Sequence, residues 1–359
     1  MTRGDSATDA SVIIIGAGQS GLATGYYLQQ AGIKFSILAD DVRVGDTWRD
    51  RWDSLELFTP AFYNGLPGLD FPADDPEYLP HKDEMADYLE TYAKSFDLPI
   101  ELETRVTRLG REDGQFVLET AAGGWTADQV VVATGAHSSP SMPPFADELP
   151  DEVFSCHSSE YRNPDELQDG DVLVVGAGNS GTQIAAELGE AGDRSVWLAG
   201  PDTGRLPRRL LGRDIYRWIG PTILRVSRHS FIGRRLYERT VHSGDPVFSD
   251  QFERMQAADV DRIDRIVAIK DGKPVTADGH AFDIDNVIWA TGFDPSYPWI
   301  DLDLFDESGE PRHTRVVVEE SPGLSFVGLR WQTRAASSLT GGVGPDAEHV
   351  AERVQQVAE

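Results

Sequence analysis

The sequence predicts an α/β protein with two Rossmann-like dinucleotide-binding domains, the second inserted in the first. Three observations predict it. A glycine loop, GAGQSG at 16–21, recurs as GAGNSG at 176–181. Each copy follows a short apolar run, VIII at 12–15 and VLVV at 172–175. Each unit closes, after nearly equal lengths of chain, on an apolar run into Ala-Thr-Gly at 133–135 and 290–292. Repeated strand–loop–helix units ended alike argue for two related nucleotide-binding domains. The expected division is 1–160 and 291–359 for the outer domain and 161–290 for the inserted one.

The elements follow from periodicity. Helical stretches come after each loop, at 22–31 and 182–191, and each stops at a glycine, Gly32 and Gly192, as a C-cap would. Second strands are expected at 35–38 and 195–198, completing two βαβ units. A helix is expected within 79–98. Runs at 105–109 and 115–120 flank Asp113-Gly114, and 265–270 is followed by Asp271-Gly272, both hairpin signals. Residues 137–170 are rich in Pro, Ser and Asp and read as the crossing between domains. The segment 201–255 differs from the rest. It has ten arginines between Arg205 and Arg239 against two acids, Asp214 and Glu238, with apolar residues interleaved. It reads as a basic, amphipathic cover on the second domain. The tail carries a short strand near 325–329 and a closing helix from Asp346.

Composition narrows the functional classes. The chain has 359 residues, Lys+Arg 32 against Asp+Glu 60 and a formal net charge of −28, which repels nucleic acid. Its one cysteine, Cys156, excludes an internal disulfide framework and a dithiol redox centre. Its eight histidines show no metal-binding spacing, so no metal is expected. No apolar run is long enough to span a membrane, and the first ten residues lack the apolar region of a signal peptide. A soluble cytoplasmic protein is expected, with homo-oligomerisation left open. Lysine occurs only at 34, 82, 94, 270 and 273. That bias fits either a protein kept soluble in concentrated salt or a high-GC genome.

In a GxGxxG loop the first glycine permits the tight turn and the second lets a pyrophosphate approach the backbone. The third lets helix and strand pack closely. The phosphates then rest on free N–H groups of the helix N-terminus. The candidate cofactor-binding residues are Gly16, Gly18, Gln19, Ser20 and Gly21 in the first loop, and Gly176, Gly178, Asn179, Ser180 and Gly181 in the second. An acid at the end of the second strand binds a free ribose 2′-hydroxyl. Asp40 could serve in the first unit, which suits FAD. The second unit has no acid at that place, and Arg205, Arg208 and Arg209 follow, which suits the 2′-phosphate of NADP. Asp202 as a ribose acid is the competing reading.

The chain resembles flavin-dependent monooxygenases with two dinucleotide domains: flavin-containing monooxygenases, YUCCA-type enzymes and Baeyer–Villiger monooxygenases. The resemblance covers nearly the whole length. Gly45, Asp46, Thr47, Trp48 and Arg49 resemble the family's segment beside the flavin, and 206–214 resembles the YUCCA-type segment. The glycine turn before Asp346 resembles the last flavin contact. His157 and Tyr161 match half of the signature that precedes the second loop, while Asp151 and Val153 stand where Phe and Gly are usual. Phe58 stands where flavin-containing monooxygenases carry an Asn near the flavin. The resemblance implies an FAD domain interrupted by an NADPH domain. It also implies transfer of one oxygen atom from a flavin C4a-hydroperoxide to an amine, sulfide or oxo compound, with molecular oxygen as co-substrate. The pocket would lie near Trp48, Phe58 and Trp331. No catalytic side chain is assigned. An NADPH-dependent reductase passing electrons to a quinone or carrier protein is the alternative. A nucleotide-binding sensor without turnover is the third reading.

Overall fold

The structure, a computed structural model, describes residues 8–136, 139–192, 194–243 and 245–358. Two sheets dominate it, one mixed and one all parallel. In the first, the strand order is Ile100–Glu101, Ser36–Leu38, Thr8–Ile15, Gly123–Val132. The long strand Gly123–Val132 has two roles. Residues 125–132 lie parallel to Thr8–Ile15, while the first half of the strand pairs antiparallel with Gln115–Thr120. Its last residues pair in parallel with Leu324–Phe326 from the tail. The second sheet is all parallel, in the order Asp261–Ile263, Val196–Ala199, Val172–Val175, Asn286–Trp289, Phe154–His157. The tail thus returns to the first sheet, and the second nucleotide domain is an insertion in the first.

The β-branched runs form central strands because both faces are covered. Val12 and Ile14 face the helix Gln19–Gln30, whereas Ile13 and Ile15 pack beneath with Tyr297, Ile300 and Phe326. The same period-two split divides Val172 and Val174 from Leu173 and Val175 in the second sheet. The expected hairpins form with φ of 48° and 92° at Asp113-Gly114 and 50° and 77° at Asp271-Gly272, the left-handed pairs such turns need. The closing helix Gly344–Ala358 packs on Gln19–Gln30.

Two expectations shift. The crossing segment contains a strand, Phe154–His157, which belongs to the second sheet although it precedes residue 161. The apolar run Val153–Phe154 was obscured by its polar flanks. The basic segment is not a cover on the second domain alone. Ile215, Tyr216 and Phe248 cluster with Phe58, Phe62 and Tyr63 of the outer domain and with Leu339 of the tail. Its aromatic residues therefore bury surface across the domain boundary.

Candidate cofactor and active site

Three glycines of each loop are there for separate reasons, which the surroundings reveal. Gly16 and Gly176 have φ of 108° and 114°, and a side chain on either would strike the carbonyl of Ala133 or Ala290. Those carbonyls belong to the two Ala-Thr-Gly turns, so loop and turn are mutually constrained. A side chain at Gly21 or Gly181 would overlap the carbonyl of Gly16 or Gly176. Gly18 and Gly178 have nothing within 4 Å of an added Cβ. Protein packing leaves both middle positions free, and the open space lies at the helix N-terminus. Neither helix has a side-chain N-cap or an acidic residue in its first turn. The N–H groups and dipole there are left for an anion.

The tail completes the first loop. Gln19 Nε2 donates to the carbonyl of Ser338 at 3.2 Å, and Gly328 lies so close to Ser20 that any side chain would overlap it. Asp346, 1% exposed, accepts from the Thr333 hydroxyl and from Arg334 Nη2 at 3.5 Å, both through Oδ1. Its Oδ2 is buried without a partner, as is Asn179 Oδ1 in the second loop. A buried acceptor without a donor costs free energy unless a ligand supplies one. Two open cradles and two orphaned acceptors fit a pair of dinucleotides.

Asp40 is exposed and pairs with Arg105 at 3.4 Å. Asp41 is the more enclosed neighbour. Burial first, and then the charge of Asp46, hold its carboxyl above the usual range. Trp48 is half-buried in the short helix Asp46–Arg49 and packs against the main apolar cluster. Gly45, with φ 94°, brings this helix against the carbonyl of Ala86 at 2.6 Å from an added Cβ.

The three arginines separate. Arg208 is a strut with an 11% exposed side chain. It donates to Asp250 at 2.9 Å, to Asp214 at 3.4 Å and to the Phe58 carbonyl at 2.9 Å, above the Phe248 ring. Arg209 reaches away to Glu77 at 3.0 Å. Arg205 sets its guanidinium over the Phe252 ring at 3.4 Å. Arg262 was missed in the sequence. It lies on the neighbouring strand, donates to the Gly200 carbonyl at 2.9 Å and feels the charges of Asp202 and Arg205. An edge-strand arginine 62 residues from Gly200 carries no local signal.

Of the pocket residues, Phe58 stacks on Phe248 with centroids 6.1 Å apart. Trp331 is buried at φ 55°, a left-handed conformation costly for a bulky residue, and meets Tyr237 edge-on at 6.0 Å. His157 Nε2 donates to the Gly292 carbonyl at 2.9 Å, and its Nδ1 accepts from Ser159 N at 3.1 Å. Burial holds its pKa below the ordinary value. The ring is thus a neutral brace between the strand end and the second Ala-Thr-Gly turn. Tyr161, fully buried, donates to Glu187 at 2.9 Å. Among the described residues no His, Cys, Asp and Glu cluster could hold a metal ion, and no helix is long and apolar enough to cross a membrane.

Residues 13–327 match the family described as pyridine nucleotide-disulphide oxidoreductase. A CzcO-like oxidoreductase of Geobacillus kaustophilus is 44% identical over 343 residues, covering 94% of this chain and 96% of the relative. A probable indole-3-pyruvate monooxygenase of Arabidopsis thaliana, YUCCA9, is 27% identical, covering 84% and 79%. The solved flavin-containing monooxygenase of Stenotrophomonas maltophilia superposes with a TM-score of 0.81 at 26% identity, covering 98% of this chain and 100% of that one.

Proposed function

The chain belongs to the pyridine nucleotide-disulphide oxidoreductase family, and we propose that within it the protein is an NADPH-dependent FAD monooxygenase. It is a flavin-dependent oxidoreductase of the flavin-containing monooxygenase and YUCCA group, with FAD and NADP as cofactors. One observation narrows where the electrons go. Two nucleotide cradles are present, but the chain has no dithiol to receive electrons. Its single cysteine is buried, with its thiol pushed up to about 12 by burial. Disulphide reduction through a protein dithiol is therefore closed to it, which leaves electrons to pass from nucleotide to flavin to a diffusible acceptor.

Bound FAD would supply the redox chemistry that couples oxidation of NADPH to insertion of one atom of O₂ into an amine, sulfide or oxo compound. The other atom leaves as water, and NADPH, a proton and O₂ balance NADP, water and the oxygenated product. The protein's part is positioning. The loop 16–21 with Asp346 would hold FAD, and the loop 176–181 would hold NADP. Asp40 would take the FAD ribose, and Trp48 would lie beside that cofactor. Arg205, joined by Arg262 instead of Arg208 and Arg209, would meet the 2′-phosphate. The cover over Phe58, Phe62 and Tyr63 would keep water from the reacting atoms. The domain division that suits this reading begins the inserted domain before Phe154.

The test is turnover of the purified holoprotein with NADPH under ¹⁸O₂ and an amine, a sulfide and a ketone. One labelled oxygen atom in product, with NADPH consumed in equal amount, is the expected result. NADPH consumption that yields only hydrogen peroxide, or reduction of a quinone without label, would instead establish the reductase alternative.

A further inference from the structure

A small cavity of about 190 Å³ lies on the seam between the domains, lined by Thr47, Asp50, Arg51, Ser159, Arg162 and Phe293 among others. Its position is informative. Ser159 and Arg162 follow the strand Phe154–His157, and Phe293 follows Asn286–Trp289, its parallel neighbour. The cavity thus sits beyond the carboxyl ends of adjacent parallel strands, where open α/β sheets bind ligands. Its other wall, Thr47–Arg51, comes from the outer domain.

The walls are held firmly. The buried Lys82 donates to the carbonyls of Arg49 at 2.6 Å and Arg51 at 2.8 Å. Asp53 N donates to the Arg162 carbonyl at 2.7 Å, and Asn163 Nδ2 donates to Asp53 at 2.8 Å. These bonds bring the two arginines together from separate domains.

Like charges should not be gathered this way without a reason. The chain has 60 acidic residues, and Arg43, Arg49, Arg108 and Arg254 all close ion pairs with them. Among the described residues no carboxylate forms an ion pair with Arg51 or Arg162. Arg51 is half-buried above the Phe293 ring at 5.3 Å. Burial, and then the charge of Arg162, make its protonated form less favourable than in water. Arg162 spends one nitrogen on the carbonyls of Ser159 at 3.0 Å and Tyr161 at 3.4 Å. Asp50 is exposed at the rim and balances part of the charge. The hydroxyls of Thr47 and Ser159 are engaged with Asp41 at 3.4 Å and with His157 Nδ1 at 2.8 Å, which leaves two guanidinium groups lining one cavity to meet a planar or tetrahedral oxyanion.

We propose that Arg51 and Arg162 form an oxyanion-binding subsite on the domain seam. It holds the carboxylate or phosphate of a molecule occupying that seam. The two sources of such a group are a carboxylated substrate and a phosphate of the nicotinamide coenzyme. The subsite rests on the proposed monooxygenase reading only for its purpose, because anion affinity requires no oxygen transfer.

The test is calorimetric titration of the holoprotein with sodium sulfate as probe, at ionic strength held constant with KCl. Wild type should bind sulfate saturably. Arg51→Gln and Arg162→Gln should each weaken it by about tenfold or more, as loss of a charge-assisted fork predicts. Circular dichroism shows whether each variant is folded, and two variants from separate domains guard against one that is not. Competition then separates the sources. If sulfate displaces 3-phenylpropionate and Arg51→Gln leaves NADP affinity unchanged, the anion belongs to the substrate. If sulfate displaces NADP and both variants weaken NADP, it belongs to the coenzyme. Absence of saturable sulfate binding to wild type, or equal affinity in both folded variants, overturns the subsite. A protein that binds sulfate in this way but incorporates no ¹⁸O keeps the subsite and loses the monooxygenase reading.

Discussion

Single atoms of clearance separate the roles of the glycines. Gly18 faces open space and Gly21 faces the carbonyl of Gly16. Gly18→Val should therefore leave the apoprotein's melting temperature nearly unchanged while abolishing flavin retention, because the valine occupies the pyrophosphate's place. Gly21→Val should instead lower the melting temperature or prevent folding, since strand and helix must separate. Flavin absorbance after gel filtration, with thermal melts of the apoproteins, checks both. Retained flavin in Gly18→Val would show that the first cradle is not where FAD binds. Asp346 belongs to the same scale: one buried oxygen is paired and the other waits for a donor.

At the scale of elements, the arginines around the basic insertion take different partners. Arg208 ties Asp214, Asp250 and the Phe58 carbonyl together. Arg208→Ala leaves buried Asp214 short of its partner and should cost about 3 kcal/mol of stability, read as a lower denaturant midpoint with unchanged preference between NADPH and NADH. Arg205→Ala and Arg262→Ala should do the reverse. Each should raise the NADPH KM by about tenfold, from loss of roughly 1.5 kcal/mol of charge-assisted bonding, and spare NADH. Equal losses with both coenzymes would mark them as structural. The helix Lys82–Ser95 makes a separate prediction. Glu90 accepts from Arg43 at 2.7 Å and Lys94 at 2.6 Å, which holds its pKa near 2 against an ordinary 4.5. A depressed folded-state pKa stabilises the protein above pH 4.5 and ceases to as pH falls toward 2. The melting temperatures of wild type and Glu90→Gln should therefore converge across that window. A constant difference would show that the ion pairs contribute nothing.

The whole molecule is dominated by its net charge of −28. Repulsion among surface acids reaches about 10 Å at 0.1 M salt and about 3 Å at 1 M. The melting temperature should rise between about 0.1 M and about 2 M KCl, beyond any rise in a matched sucrose series that measures exclusion effects alone. A flat or falling curve would make the acidic composition a matter of genome bias. The same field bears on the seam. Arg51 and Arg162 line one cavity in this acidic molecule, so the anion affinity proposed for the seam should weaken as KCl is raised.

Local rules made much of this legible in the chain. A glycine loop between an apolar run and a helix, given twice, specified both cradles, because the backbone conformation at Gly16 and Gly176 and the contact at Gly21 and Gly181 are demands of neighbouring atoms. Asp113-Gly114 and Asp271-Gly272 specified their hairpins through the same left-handed backbone. What depended on the folded chain was every pairing across long separations. The sequence places Arg208 beside Arg205 and Arg209, but tertiary contacts turn it toward Phe58 and two carboxylates. Arg262 reaches the second strand's end only because its own strand lies next to it in the sheet. Strand Phe154–His157 joins the second sheet by pairing with Asn286–Trp289. Arg51 and Arg162 meet because Lys82 and Asp53 pin two loops from different domains. Hydrogen bonds and burial act through space, so a one-dimensional reading reveals which residues have a property and not which residues share a site.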